Sequence, residues 1–279
     1  MFGFKLVYDM HSSLPQQLTN FQYTKSKTLI GLFEKLENSC LANADAVITI
    51  CPELANYAIP LVPDPQRHFL IENSLFEPVR LKGPQTAEAV AEPEHSFPEG
   101  RPIVVYAGTF ESYQGLDILI PAFARAREQA PEAFLLLIGG SASQVEQYRR
   151  LAESHRLDGD VLFTGQLPQS LAQRYVRQAA VLTSPRTEGT NTPLKVYEQL
   201  ASGIPLVATR ILSHTQVLSD DVCVLVDPTP ESMAKGICEA LNDQERRQAV
   251  VSNARALYDE RYSRPAYFKK IQDLLRVLS

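Results

Sequence analysis

From residue 103 to residue 241, short apolar runs alternate with helical stretches, and this regularity confines the chain to a small set of folds. The runs 103–107, 134–138, 161–164, 181–184, 206–209 and 223–226 read as strands buried on both faces. Residues 116–129, 144–155, 170–179, 193–202 and 230–241 carry apolar residues at helical spacing. Strands separated by helices of roughly ten to fifteen residues make βαβ units and a parallel sheet. Residues 101 to about 245 therefore read as one doubly wound domain, which is extended to 260 by the helix that follows.

Upstream the same alternation is shorter. A strand is expected at 4–9, a helix at 16–42, a strand at 46–51, a brief helix at 53–57 and a strand at 69–71. That is too few strands for a complete sheet, so residues 1–80 are expected to form a partial domain. Residues 81–100 are rich in Pro, Glu and Ala without a sustained apolar period, as in a linker. Helical spacing over 249–278 is interrupted at 263–265, where Pro265 ends or kinks one helix and starts another, making 261–279 a separate terminal helix.

The 279 residues are 44% apolar and 21% charged, the balance of a soluble globular protein. A formal net charge of -5, with Lys and Arg scattered rather than striped, argues against a nucleic-acid partner. Cys40, Cys51, Cys223 and Cys238 form no CxxC pair and stand at no zinc spacing relative to histidines. Free thiols and no metal site are expected. No apolar run approaches the roughly 20 residues that span a bilayer. The opening MFGFKLVYDM is too short for a signal peptide and runs directly into a strand pattern. Cytoplasmic residence is the expectation, with peripheral attachment at the inner membrane face left open.

Residues 184–209, SPRTEGTNTPLKVYEQLASGIPLVAT, hold the densest local signals. Thr192 is a suitable N-cap, Pro193 suits the first helical position, and Gly203 with Pro205 stops the helix before the next strand. Lys195 does not fit, because a cation in the first turn opposes the helix dipole. An anion bound there would remove the conflict. Open α/β sheets bind ligands at the carboxyl ends of their strands, where helix N-termini offer free N–H groups. With Gly189 allowing close backbone approach and Arg186 beside Lys195, the place suits a diphosphate. Glu198, three residues on, has the two acceptor oxygens that match the vicinal hydroxyls of a ribose. The alternative is an exposed Lys195–Glu198 helix pair contributing about 0.2–0.5 kcal/mol. Spacing alone leaves both open.

The run 186–209 resembles the signature of family 4 retaining glycosyltransferases of the GT-B fold: a Glu, seven residues, a second Glu, then an Ala/Ser-Gly-x-Pro-x-Val-Ala turn. Glu198 with LASGIPLVAT matches the second Glu and all that follows. YAGTFESYQGLDILIPAF at 106–123, LLLIGG at 135–140 and VLFTGQLP at 161–168 are similar to further parts of the family's donor domain, and VYDMHS and ADAVITIC to the last parts of its acceptor-side domain. The resemblance implies an α/β fold of GT-B type, with one complete Rossmann-like donor-binding domain and a partial N-terminal Rossmann-like domain. By position, Glu198 would hold the donor ribose, and Gly189, Thr190, Asn191, Thr192, Pro193 and Leu194 would line the diphosphate and sugar. The backbone at Gln166 and Leu167 would meet the base, and Gly108 would lie by the phosphates. His11, ending YDMH, stands where the family has the active-site histidine that faces the donor sugar; a lone histidine at a strand end can equally be structural.

Three departures follow from the same alignment. Thr190 stands where the family's first Glu is expected, with Glu188 two residues back. Either the loop is longer and Glu188 reaches the sugar, or Thr190 and Asn191 make that contact, the second being preferred. The two cations that neutralise the departing diphosphate are replaced by Thr109 and Gln114, so Arg186 and Lys195 are the expected substitutes. The family also has further strands and a glycine-rich loop ahead of the first strand seen here, so the chain is expected to be a fragment, a split-gene product or a mis-started gene.

The resemblance implies retaining transfer of a sugar from a nucleoside diphosphate sugar to a hydroxyl of a glycan, lipid-linked or small-molecule acceptor, with no metal or other cofactor. His11, Glu188 and Lys195 are the candidate catalytic residues. A non-catalytic or split nucleotide-sugar-binding subunit, needing a separate chain for the missing half, is the alternative. A GT-B sugar-nucleotide epimerase stands behind both, since only His11 and Glu188 offer the acid and base it would need.

Overall fold

The structure is a computed structural model that describes residues 4–20, 26–73, 98 and 100–279. Nearly all of the expected linker at 81–100 lies outside the described residues. The chain divides into two compact units, Met1–Ser74 with Glu260–Ser279, and Leu75–Asp259.

The first unit holds a parallel sheet of β1 (Val7–Met10), β2 (Ala46–Thr49) and β3 (His68–Leu70), in that order. Helices α1 (Leu14–Asn20), α2 (Lys27–Asn43) and α3 (Pro52–Ala58) accompany it. The strand expected at 4–9 starts later because the Leu6 amide donates to the Asp45 carboxylate at 2.8 Å, and ladder pairing begins only at Val7 opposite Ala46. The single helix expected over 16–42 is two. Ser26 is non-helical and its hydroxyl accepts from the Leu29 amide, opening α2 with a cap that the apolar spacing hid. Residues 21–25 lie outside the described residues. Met10, Leu41, Val47 and Leu54 form the core of this unit, while Leu29, Leu32 and Leu36 of α2 are exposed. Glu37 on the same helix is buried, and its carboxylate accepts from Ser13 Oγ and Tyr57 OH at 2.7 Å each and from the Leu14 amide at 3.1 Å.

The second unit is a six-stranded parallel sheet made of β4 (Ile103–Ala107), β5 (Phe134–Ile138), β6 (Val161–Gly165), β7 (Val181–Ser184), β8 (Leu206–Thr209) and β9 (Val224–Val226). Its order is β6-β5-β4-β7-β8-β9, so the direction of winding reverses between β4 and β7. The connecting helices are α4 (Leu116–Ala126), α5 (Ala142–Ser154), α6 (Gln169–Val176), α7 (Leu194–Ala201), α8 (Leu212–Thr215) and α9 (Pro230–Asn242), followed by α10 (Gln244–Arg261). Helix α5 begins before the expected residue 144 because Ser141 and Gln144 form a reciprocal capping box. Strands β4, β5 and β7 are buried almost throughout, as continuous apolar runs require. Gly236 lets α9 press onto the sheet, since a Cβ there would lie 2.6 Å from Val226 Cγ1.

At the amino end of this sheet Asp160 is held between Arg101, 2.6 Å away, and Arg127, 2.5 Å away. Arg101 also donates to the carbonyls of Glu132 and Ala133, stitching the residues that lead into β4, β5 and β6. The last helix, α11 (Arg264–Leu278), belongs to the first unit. Ser263 caps it, Pro265 lies in its first turn, and Lys270 pairs with the buried Glu72 just past β3.

Candidate functional site

A winding reversal leaves a crevice outside the carboxyl ends of the two strands that flank it. Here those strands are β4 and β7, and the loops leaving them meet. Gly115, at φ 77°, lies so near the other loop that a Cβ would stand 1.9 Å from the Pro185 carbonyl oxygen. Thr187 donates its amide to the Tyr113 carbonyl at 2.8 Å, and the Arg186 guanidinium lies over the Tyr113 ring, 5.1 Å from its centroid. A Cβ at Gly189, φ 120°, would fall 2.4 Å from that guanidinium, so the loop wraps the Arg186 head group. Arg186 Nη1 donates to the Asn191 carbonyl at 3.4 Å, and its Nε is buried with no hydrogen-bond partner among the described residues.

Lys195 is the second residue of α7. Its Nζ is buried, lies 4.3 Å from the centroid of the Tyr106 ring, and has no hydrogen-bond partner among the described residues. Gly108 is directly alongside, because a Cβ there would lie 3.5 Å from Nζ. Burial, with the Arg186 charge adding to it, brings the Lys195 pKa down to about 7. Tyr106 is fully buried under this cation and donates its hydroxyl to the Thr109 carbonyl at 2.6 Å. The buried Lys195 Nζ and the half-buried Arg186 guanidinium thus lie near each other with no carboxylate paired to either among the described residues. Such burial costs several kcal/mol unless something anionic completes it, on the order of the penalty for an uncompensated buried charge.

Two local expectations are corrected here. Thr192 is not the N-cap of α7 and Pro193 is not its first residue: Pro193, with ψ 132°, is itself the cap, and the helix begins at Leu194. Thr192 is one step further out, buried, with Oγ1 unpartnered among the described residues. The exposed Lys195–Glu198 pair is likewise not formed, because the Tyr106 ring and the crevice draw Nζ inward while the Glu198 side chain stays at the rim. Partial burial raises the Glu198 pKa. Lys195 and Glu198 nevertheless border one small pocket, together with Gln199 and Ala107.

A wider cleft of about 450 Å³ lies beside Gly108 and Thr109 and is bounded also by Glu111, Gly139, Gln166 and Leu167. Gly139 keeps it open: at φ 121°, a Cβ would lie 1.9 Å from the Gly108 carbonyl oxygen. Gln114 Nε2 donates to Thr109 Oγ1 at 3.4 Å, and its Oε1 is buried without a partner among the described residues. Thr190 is exposed and its carbonyl accepts from Gln216 Nε2 at 2.5 Å; Glu188 and Leu194 are exposed as well. The donor-side residues expected from the sequence therefore gather on the loops after β4, β6 and β7 and on the first turns of α7.

His11 belongs to the first unit. It follows β1, exposed, with Nε2 3.2 Å from Asp9 Oδ2 and Nδ1 accepting from Asn73 Nδ2 at 3.4 Å. Among the described residues no three His, Cys, Asp or Glu side chains cluster as metal ligands. No helix among them is long and apolar enough to cross a membrane.

The sequence reading missed a buried network behind the crevice. His214 on α8 is fully buried between the ends of β7 and β8. Its Nδ1 is 2.8 Å from the Thr209 carbonyl oxygen and its Nε2 is 2.9 Å from Ser184 Oγ. A carbonyl can only accept, so Nδ1 carries the proton and Ser184 donates to Nε2. Burial first, then the Lys195 and Arg186 charges, lower the His214 pKa to about 4, while the Thr209 bond opposes the shift. Only the hydroxyl residues ending two adjacent strands, Ser184 and Thr209, hinted at it in the sequence.

A doubly wound sheet with a buried lysine head group, a half-buried arginine and a helix N-terminus at its switch point has the features by which α/β folds accommodate anionic ligands. Residues 89–257 match the family of glycosyl transferases group 1, and the chain belongs to that family. It is 30% identical over 169 residues to the putative glycosyltransferase YtcC of Bacillus subtilis, a match that covers 56% of this chain and 40% of YtcC. The chain is also similar to sucrose-phosphate synthase from Thermosynechococcus elongatus, with a TM-score of 0.68 and 24% identity over 100% of this chain and 69% of that one. Anabaena Alr3699/HepE in complex with UDP superimposes with a TM-score of 0.74 at 16% identity, covering 98% of this chain and 72% of its own. The fold is α/β of the GT-B type.

Proposed function

We propose that the second unit binds a nucleoside diphosphate sugar at the carboxyl ends of β4 and β7, and that the chain serves retaining transfer of that sugar to an acceptor hydroxyl of a glycan, a lipid-linked glycan or a small molecule. The observation that carries this is Lys195 Nζ, buried, unpartnered among the described residues and adjacent to Gly108. A diphosphate supplies the missing counter-charge, and Arg186 supplies the second cation. The pair takes the place of the loop cations absent at Thr109 and Gln114, and stabilises the leaving group as negative charge develops on it. The bound UDP named for Alr3699/HepE supports a nucleotide as ligand.

Within this reading Glu198 accepts from the ribose hydroxyls, and the cleft at Gln166 and Leu167 takes the base. Thr190, Asn191, Thr192 and Pro193 line the sugar. His11 and Glu188 are assigned to the transfer step rather than to donor binding. The chemistry needs no metal when two cations face the diphosphate. Isothermal titration of UDP and of GDP tests the reading: Lys195→Met is expected to weaken the better ligand by thirtyfold or more, roughly 2 kcal/mol, in the range of a charged hydrogen bond. Unchanged affinity would remove the proposal.

A second reading is a donor-binding subunit whose transfer activity needs another polypeptide. It is favoured by the exposed Leu29, Leu32 and Leu36 on α2. Purified chain that binds donor but transfers sugar only when a second gene product is added would select it.

A further inference from the structure

Resting on the reading of Arg186 as a diphosphate ligand, we propose that Thr209 and His214 are positioning residues that hold the Arg186 segment in its binding geometry. The hydrogen bonds run in one direction. Ser184 Oγ donates to His214 Nε2 at 2.9 Å, and His214 Nδ1 donates to the Thr209 carbonyl at 2.8 Å. Thr209 Oγ1 then donates its one proton to the Arg186 carbonyl oxygen, the shortest of its contacts. Its approaches to the Ser184 carbonyl, 3.4 Å, and to His214 Nδ1, 3.2 Å, are longer. Ser184, Thr209 and His214 are fully buried, so these three cannot exchange their partners for water.

The Arg186 carbonyl is the first backbone acceptor beyond Pro185, where the chain leaves the ladder of β7 and β8. Fixing it sets the direction in which the side chain departs toward Tyr113, Gly189 and the Asn191 carbonyl. Neither Thr209 nor His214 needs to touch the ligand. Their contribution is made through the guanidinium, and it should vanish when the guanidinium is removed.

A double-mutant cycle tests this, with UDP and GDP as probes in calorimetry and thermal unfolding measured in parallel. Thr209→Val keeps the shape and removes the hydroxyl; Thr209→Ser restores it. Thr209→Val is expected to weaken binding about tenfold, within the range of coupling between members of one network, and Thr209→Ser by less than about twofold. In an Arg186→Met background Thr209→Val should cost less than about twofold, a non-additivity that loss of stability alone does not produce. His214→Phe should behave like Thr209→Val, and if it fails to fold the threonine pair still decides. A full tenfold loss in the Arg186→Met background, or no loss in either, would overturn the proposal. Arg186→Met binding as tightly as wild type would instead remove Arg186 from the donor site, and the positioning role with it.

Discussion

At the amino end of the six-stranded sheet, Asp160 lies between Arg101 and Arg127, largely buried, and each arginine has the carboxylate as its counter-charge. At the carboxyl end, the half-buried Arg186 lies near the buried Lys195 Nζ, with no carboxylate paired to either among the described residues. The same sheet therefore completes its charges where stability is the only demand and leaves them incomplete at the winding reversal. The incompleteness raises the free energy of the empty protein. An anion arriving there offsets it, as the proposed diphosphate site requires.

Substitutions at the two ends should then have opposite signatures. Asp160→Ala leaves two cations facing each other and is expected to lower unfolding free energy by about 3 kcal/mol, the lower range for breaking a buried pair, since these side chains keep some exposure. Urea denaturation measures it, and nucleotide affinity of the folded protein should stay within about twofold. Lys195→Met should do the reverse: thirtyfold or weaker binding, with unfolding free energy equal to or above wild type because an uncompensated charge is gone. If both variants lost stability alike, the contrast between the ends would collapse.

The pH dependence sharpens the same contrast. Lys195 has an ordinary pKa near 10.5 in the unfolded chain and about 7 in the folded one. Between those values the unfolded state binds the extra proton, so this residue's contribution makes stability rise with pH from about 7 to about 10.5. Below 7 the folded protein carries the full penalty of the buried charge. Denaturation at pH 7 and pH 9 should show that rise in wild type and lose it in Lys195→Met. The smallest expected effect is at the rim: Glu198→Ala should weaken UDP about tenfold, roughly 1.4 kcal/mol, and abolish the preference for UDP over its 2′-deoxy form.

The doubly wound unit was legible because its strands are continuous apolar runs and its helices carry their own stops, as at Gly203. The first unit was less so. Apolar spacing ran across Ser26, and its cap geometry is what opens α2 there. At the site, Lys195 announced itself as a cation where the helix dipole disfavours one, and the structure puts its Nζ at the switch point. Its distance from Glu198 could not be read, since an i,i+3 spacing permits a pair and it is the Tyr106 ring, far away in sequence, that draws Nζ off. Thr192 as N-cap was a sound local choice that failed because Pro193 took an extended ψ and became the cap itself. His214 was invisible for a related reason: its partners, Ser184 and Thr209, become neighbours only when β7 and β8 pair.

The central claim is that burial holds Lys195 mostly uncharged at pH 8 until a diphosphate completes it. Calorimetric titration of UDP or GDP at pH 8, in two buffers of different ionisation enthalpy, reads the protons taken up on binding. Wild type is expected to take up a proton, most of one per ligand, because the diphosphate raises the Lys195 pKa from about 7 to well above the working pH, and Lys195→Met none. Equal uptake in both proteins, or none in wild type that binds, would contradict it.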